Sequence, residues 1–163
     1  MHPYAHLYKA GAAGGPTGML TVTSPGLVDL PSAPPPEFDG PGGVWSPETM
    51  LCAAVADCFV LTFRAIARAS KFEWLSLECS VEGTLEREEG VTRFTRFVTQ
   101  ATLRVPPGTD AERAKKLMEK SEHGCLVTNS LTGKRELVAQ VVESQEMPNR
   151  DSFVWSPEVP SQR

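Results

Sequence analysis

Cys58 and Cys125 are the residues of this chain whose type and setting could do chemistry. Cysteine reacts as the thiolate, so a reactive one needs its pKa lowered by a cation, a helix N-terminus or hydrogen-bond donors. Cys125 follows Gly124 at the start of CLVTNSL, which reads as a short helix whose free backbone N–H groups point towards the thiol. Cys58 lies about three turns inside a long apolar helix, where the helix dipole offers nothing and burial raises its pKa. Its activation must come from elsewhere in the fold. Two thiols in unequal settings suggest redox chemistry, the plainer alternative being small core residues. Cys52, with an apolar neighbourhood, and Cys79, in an alternating strand, are expected to be structural.

Around these thiols the sequence offers few other reactive groups. No CxxC is present and the only close His/Cys pair is His123 with Cys125, so neither a metal site nor a cofactor is expected. His123 could serve as a base or simply be an exposed helix-end residue. Glu48 sits near a helix start, where a negative charge is favoured by the dipole whether or not it has a further role. Candidate cations are Arg64 and Arg68 on the long helix and Arg93 and Arg96 on a strand, of which alternation lets only one face inward.

The elements that must position these groups follow from periodicity and turn signals. Residues 5–12 and 18–24 read as a small hairpin around a Gly/Pro turn, and 25–43, rich in proline, as an irregular connection. Ser46 as cap, Pro47 in the first turn and Glu48 after it open a helix that runs to about Ser70. It is apolar on most of its circumference and is expected to be buried on several sides as the centre of the fold. Alternating segments 74–88 and 91–105 flank Glu89-Gly90, the pattern of a long antiparallel hairpin. A charged surface helix over 110–122 is broken by His123-Gly124, and 135–144 reads as a last strand. The result is a single α+β domain over residues 1–145, an antiparallel sheet with a long buried central helix, followed by a polar tail over 146–163. One sheet cannot cover such a helix, which implies a second subunit.

The segments SPETMLCAAVADCF (46–59) and HGCLVTNSL (123–131) resemble the two signature blocks of the osmotically inducible protein C and organic hydroperoxide resistance (OsmC/Ohr) family. The resemblance covers roughly residues 1–145, and its most specific part is the Pro-Glu pair opening the long helix with a Cys ten positions after that Glu. It implies an OsmC-like fold, an intertwined homodimer with sites at the interface, and a catalytic set of Cys58, Cys125 and Glu48. In that family the first cysteine attacks a hydroperoxide, the second resolves the sulfenic acid into a disulfide, and an external dithiol such as dihydrolipoamide restores both thiols. Helix geometry is consistent with a shared site: Glu48 and Cys58 stand about 15 Å apart along the axis and about 80° around it, so contact needs another copy, packed antiparallel near Ala53.

The chain also departs from the pattern. Ohr-type proteins carry an Arg in a Gly-Gly-Arg-Asp-Gly turn, which pairs with the Glu and stabilises the thiolate; here the turn reads Gly14-Gly15-Pro16-Thr17-Gly18. Arg64 is the first arginine, and Lys9 the only lysine before it. Cys125 is followed by Leu126 where the family commonly has proline. Three functions follow: first, a thiol-dependent peroxidase acting on organic hydroperoxides or hydrogen peroxide; second, a non-catalytic dimer binding a small apolar ligand; third, a redox sensor using the same pair. The net charge of −4 and pI near 5.4, with no basic face, argue against nucleic acid as a partner. No leader-like N-terminus or run of about 18 apolar residues is read, so no membrane is expected and the protein is placed in the cytoplasm.

Overall fold

A computed structural model describes residues 3–146, in two compact units, Met1–Leu51 and a second beginning at Cys52. The tail expected over 146–163 lies, Glu146 apart, outside the described residues.

The first unit holds an antiparallel sheet of β1 (Gly11–Ala13), β2 (Leu20–Thr23) and β3 (Leu30–Ser32), in that order. The expected hairpin is present, although its first strand is shorter than 5–12 and starts only at Gly11. The connection expected to be irregular supplies β3, whose Pro31 is tolerated because β3 is an edge strand. It then makes a 3-10 turn at Pro36–Phe38. Gly40 is obligatory there, since an added Cβ would lie 1.6 Å from the carbonyl oxygen of Pro34.

Ser46 caps the next helix as its sequence suggests. The Thr49 amide donates to Ser46 Oγ at 3.2 Å and the Ser46 amide to Thr49 Oγ1 at 2.9 Å, a reciprocal cap with Thr in the usual Glu position. Helix α1 (Pro47–Ala69) opens in the first unit and is the long helix of the second. Lys71, in the left-handed region at φ 49°, ends it: the Phe72 amide donates to Ala67 O at 2.9 Å and the Lys71 amide to Arg68 O at 3.2 Å.

The second unit carries β4 (Ser76–Glu88), β5 (Val91–Val105), α2 (Ala111–Gly124) and β6 (Lys134–Glu143). β4 and β5 form the expected antiparallel hairpin, closed by Glu89 and Gly90, both at positive φ as a type I′ turn requires. β6 lies on the other side of β5 and runs parallel to it, so the sheet is mixed rather than antiparallel throughout. The physical reason is the connection: α2 carries the chain back along the sheet, and strands joined by such a crossover pair in parallel.

The core of this unit lies where α1, β5 and α2 meet. Phe59, Phe63 and Ala67 of α1 pack with Ala101, Leu103 and Val105 of β5, Ala114 and Met118 of α2, and Phe72. Phe63 sits edge-on to Trp74 and to Phe72, with centroids 5.3 and 6.5 Å away. Only Val55, Phe59, Phe63 and Ala67 of α1 are buried, a single stripe at four-residue spacing. The expectation of burial on several sides is not met within one chain, and Leu61 is 48 % exposed. By length and composition α1 is apolar enough to cross a membrane, yet this stripe is the centre of the second unit's core.

Candidate functional site

Cys58 projects from α1 next to the buried stripe and is half-buried. Thr62, one turn further on, places its hydroxyl 4.0 Å from Cys58 Sγ. The chain leaving α2 passes closely over the same point: an added Cβ on Gly124 would stand 3.4 Å from Thr62 Cγ2. That approach brings the Cys125 thiol and the amides of Leu126 and Val127 to Cys58. The neighbouring amides are already used, Cys125 N–H by Glu122 O at 3.3 Å and Asn129 N–H by Cys125 O at 3.0 Å. Those of Leu126 and Val127 make no backbone hydrogen bond among the described residues and are available to a sulfur anion.

These donors decide which cysteine ionises. Burial pushes the Cys58 thiol up, but the Val127 amide, the Cys125 thiol, the Thr62 hydroxyl and the Leu126 amide together outweigh it, and its pKa is lowered. Cys125 is buried, and burial raises its pKa; the hydroxyl and amide of Thr128 oppose this, while a negative Cys58 beside it raises it further. The first proton therefore leaves Cys58, and the resulting thiolate keeps Cys125 a thiol.

From sequence Cys125 is expected at a helix N-terminus and Cys58 is expected to draw its activation from elsewhere in the fold; the structure corrects the first of these and not the second. Helix α2 does not break at His123-Gly124 but runs through both, so Cys125 is its C-terminal cap, at the end of the dipole that disfavours an anion. CLVTNSL contains only a 3-10 turn, Thr128–Ser130, and its loop amides are directed at Cys58.

The other expected residues fall as follows. Glu48 sits in the first turn of α1, and its Oε2 is buried with no hydrogen-bond partner among the described residues. His123 is largely exposed and turns Nδ1 back to Glu119 O at 2.8 Å, the arrangement of a helix-end residue rather than of a base for Cys125. Neither Arg93 nor Arg96 faces inward: they pair with Glu88 and Glu136 on the surface, each at 2.5 Å. Arg64 and Arg68 are exposed and make no ion pair among the described residues. Pro16 lies in the exposed β1–β2 connection. Burial raises the thiol of Cys52, and pushes that of Cys79 up to about 12 with help from the neighbouring Cys125, which suits structural residues.

Sequence reasoning missed the groups that hold the loop. Arg135 of β6 donates from Nη1 to Asn129 Oδ1 at 2.8 Å and to Thr128 Oγ1 at 3.4 Å, and its Nε stands 3.4 Å from Glu122 Oε1. Asn129 in turn donates from Nδ2 to His123 O at 3.1 Å. Nothing local in the sequence marks these residues, because the parallel pairing of β6 is what brings Arg135 to the loop.

A long helix laid on a mixed sheet, with Cys58 at mid-helix facing Cys125 on the loop after the next helix, is an α+β arrangement of the OsmC-like fold. Residues 40–138 match the OsmC-like protein family, and the chain belongs to that family. The uncharacterized protein YmaD of Bacillus subtilis is 29% identical over 136 residues, covering 81% of this chain and 90% of its own. An organic hydroperoxide resistance protein, OsmC, from Legionella pneumophila superposes with a TM-score of 0.68 at 26% identity, over 85% of this chain and 98% of that one. The OsmC-like protein VCA0330 of Vibrio cholerae, of unknown function, superposes with a TM-score of 0.74 at 17% identity, over 85% of this chain and all of its own, a likeness of fold.

Proposed function

We propose that the protein is a cysteine-based peroxidase that reduces organic hydroperoxides or hydrogen peroxide. The observation that carries this reading is the Cys58 sulfur, faced by two free amides and by the thiol of Cys125. The Cys58 thiolate attacks the terminal peroxide oxygen; the O–O bond breaks, and the alkoxide leaves as the alcohol after taking a proton. Cys58 is now a sulfenic acid. The Cys125 thiol displaces its hydroxyl as water and forms the Cys58–Cys125 disulfide, which protects Cys58 from further oxidation. An external dithiol of the dihydrolipoamide kind reduces that disulfide by exchange and is itself oxidised to a disulfide.

Glu48 belongs to this site from the partner subunit of a homodimer. Its unpartnered Oε2 and the uncovered sides of α1 support a second copy packed antiparallel on that helix. Four free cysteines suit a reducing, cytoplasmic setting. Cys58→Ser should abolish peroxide turnover measured with dithiol as reductant; a variant that consumes peroxide as fast as the unaltered protein would overturn the proposal.

A second reading, a redox sensor or a non-catalytic dimer binding a small apolar ligand, is favoured by two observations. Pro16 stands where the family's cation is expected, and Glu48 Oε2 has no partner among the described residues. A sensor would oxidise once per chain without turnover, and a binding scaffold would not oxidise rapidly at all.

A further inference from the structure

We propose that Arg135 is a positioning residue for the Cys58 site, fixing the loop from Cys125 to Ser130 so that the Leu126 and Val127 amides face the Cys58 sulfur. The proposal rests on the reading of Cys58 as the reacting thiolate.

Packing alone does not hold this loop. Leu126 is 72% exposed and Asn129 and Ser130 are also exposed, leaving only Cys125 and Thr128 buried. Arg135 supplies what packing does not, because its guanidinium fork reaches both ends. Nε forms an ion pair at 3.4 Å, without a hydrogen bond, with Glu122, which precedes the loop on the last turn of α2 and has a side chain only 14% exposed. Nη1 meets Thr128 and Asn129, which close the loop, and Asn129 ties back to His123 O.

The position of Arg135 is itself fixed. It stands opposite the buried Phe97 of β5 near the start of β6. By strand alternation its neighbours Lys134 and Glu136 point the other way, into a surface pairing with one another and with Arg96. A planar five-donor group can span two acceptors on one side and a carboxylate on the other, whereas a lysine ammonium can satisfy only part of the set. Without Arg135 the loop would sample conformations in which the two amides turn to water. Cys58 would then keep its burial and the Thr62 hydroxyl but lose the two amides.

The test is site-resolved alkylation of Cys58 by iodoacetamide across pH, followed by peptide mass spectrometry, with thermal unfolding measured alongside. Arg135→Met should move the Cys58 midpoint up by about one pH unit, which is roughly tenfold slower alkylation near neutrality. Arg135→Lys should recover part of that shift, and Arg96→Met, which breaks a surface pair on the same sheet, should leave the midpoint in place. An Arg135→Met protein that is less stable but alkylates with an unmoved midpoint overturns the proposal, since Arg135 would then be merely structural. Should that variant fail to fold, Asn129→Ala removes the 2.8 Å acceptor and carries the same expectation, and an unmoved midpoint there is equally fatal. Alkylation needs no peroxide. An inactive wild-type protein would sink the peroxidase reading without touching this test, while an active enzyme indifferent to Arg135→Met would sink only the role of Arg135.

Discussion

Leu126 replaces the proline commonly found after the second cysteine in proteins of this kind, and in the sequence that reads as a departure. In the structure it adds a donor, because leucine has the backbone N–H that proline lacks and this N–H faces Cys58. With Pro16 where the resemblance leads one to expect an arginine, the backbone amides are among the donors that lower the Cys58 pKa. Leu126→Pro should therefore raise the midpoint of Cys58 alkylation by about one unit, hydrogen bonds to charged groups being worth about 1.5–3 kcal/mol. An unmoved midpoint would show that the Leu126 amide does not matter. The sign of the pH dependence follows from the two shifts: Cys58 reactivity rises with pH through a midpoint below the usual thiol value of 9.0, and that of Cys125 through a midpoint above it. That Cys58 and Cys125 stand together was legible from their flanking residues. The donors were not, because a backbone N–H leaves no mark on residue type, and Arg135 reaches the loop only through tertiary pairing.

At the scale of elements, α1 is the part on which the site depends most, since one helix both supplies Cys58 and fills the core. Phe63, one turn after Cys58's neighbour Phe59, is fully buried against Phe72 and Trp74. Phe63→Ala should cost about 3–5 kcal/mol in denaturant unfolding, from lost burial and the cavity left behind. Ser46→Ala should cost only about 1 kcal/mol by removing the cap, and a larger loss would mean that Ser46 has a role beyond it. The helix start and the β4–β5 hairpin were readable in the sequence because capping, alternation and the Glu89-Gly90 turn are local signals. The direction of β6 was not, since alternation is the same in parallel and antiparallel strands. Gly124 misled for a related reason: it looks like a helix breaker, yet it ends α2 as the small residue that lets the loop approach Thr62.

At the scale of the whole molecule, α1 buries one stripe and leaves its other sides, Leu61 among them, to solvent or to another copy. Val138 and Val142 of β6 are likewise exposed apolar residues. A homodimer is expected, and multi-angle light scattering at micromolar concentration should return twice the chain mass of 17.7 kDa; a monomer would remove Glu48 from the site. Sequence alone led to the expectation of a second copy through the excess of apolar helix surface, and the resemblance to that of Cys58 as the thiolate, but not to the loop amides that favour it, which depend on where α2 ends. The most direct test of Cys58 as nucleophile and Cys125 as its resolver treats the reduced, intact protein with one equivalent of cumene hydroperoxide, blocks free thiols and maps the peptides. The expected result is one alcohol released per chain and a Cys58–Cys125 disulfide, with Cys52 and Cys79 blocked as free thiols. Unconsumed peroxide, or a disulfide that leaves Cys58 free, would contradict it.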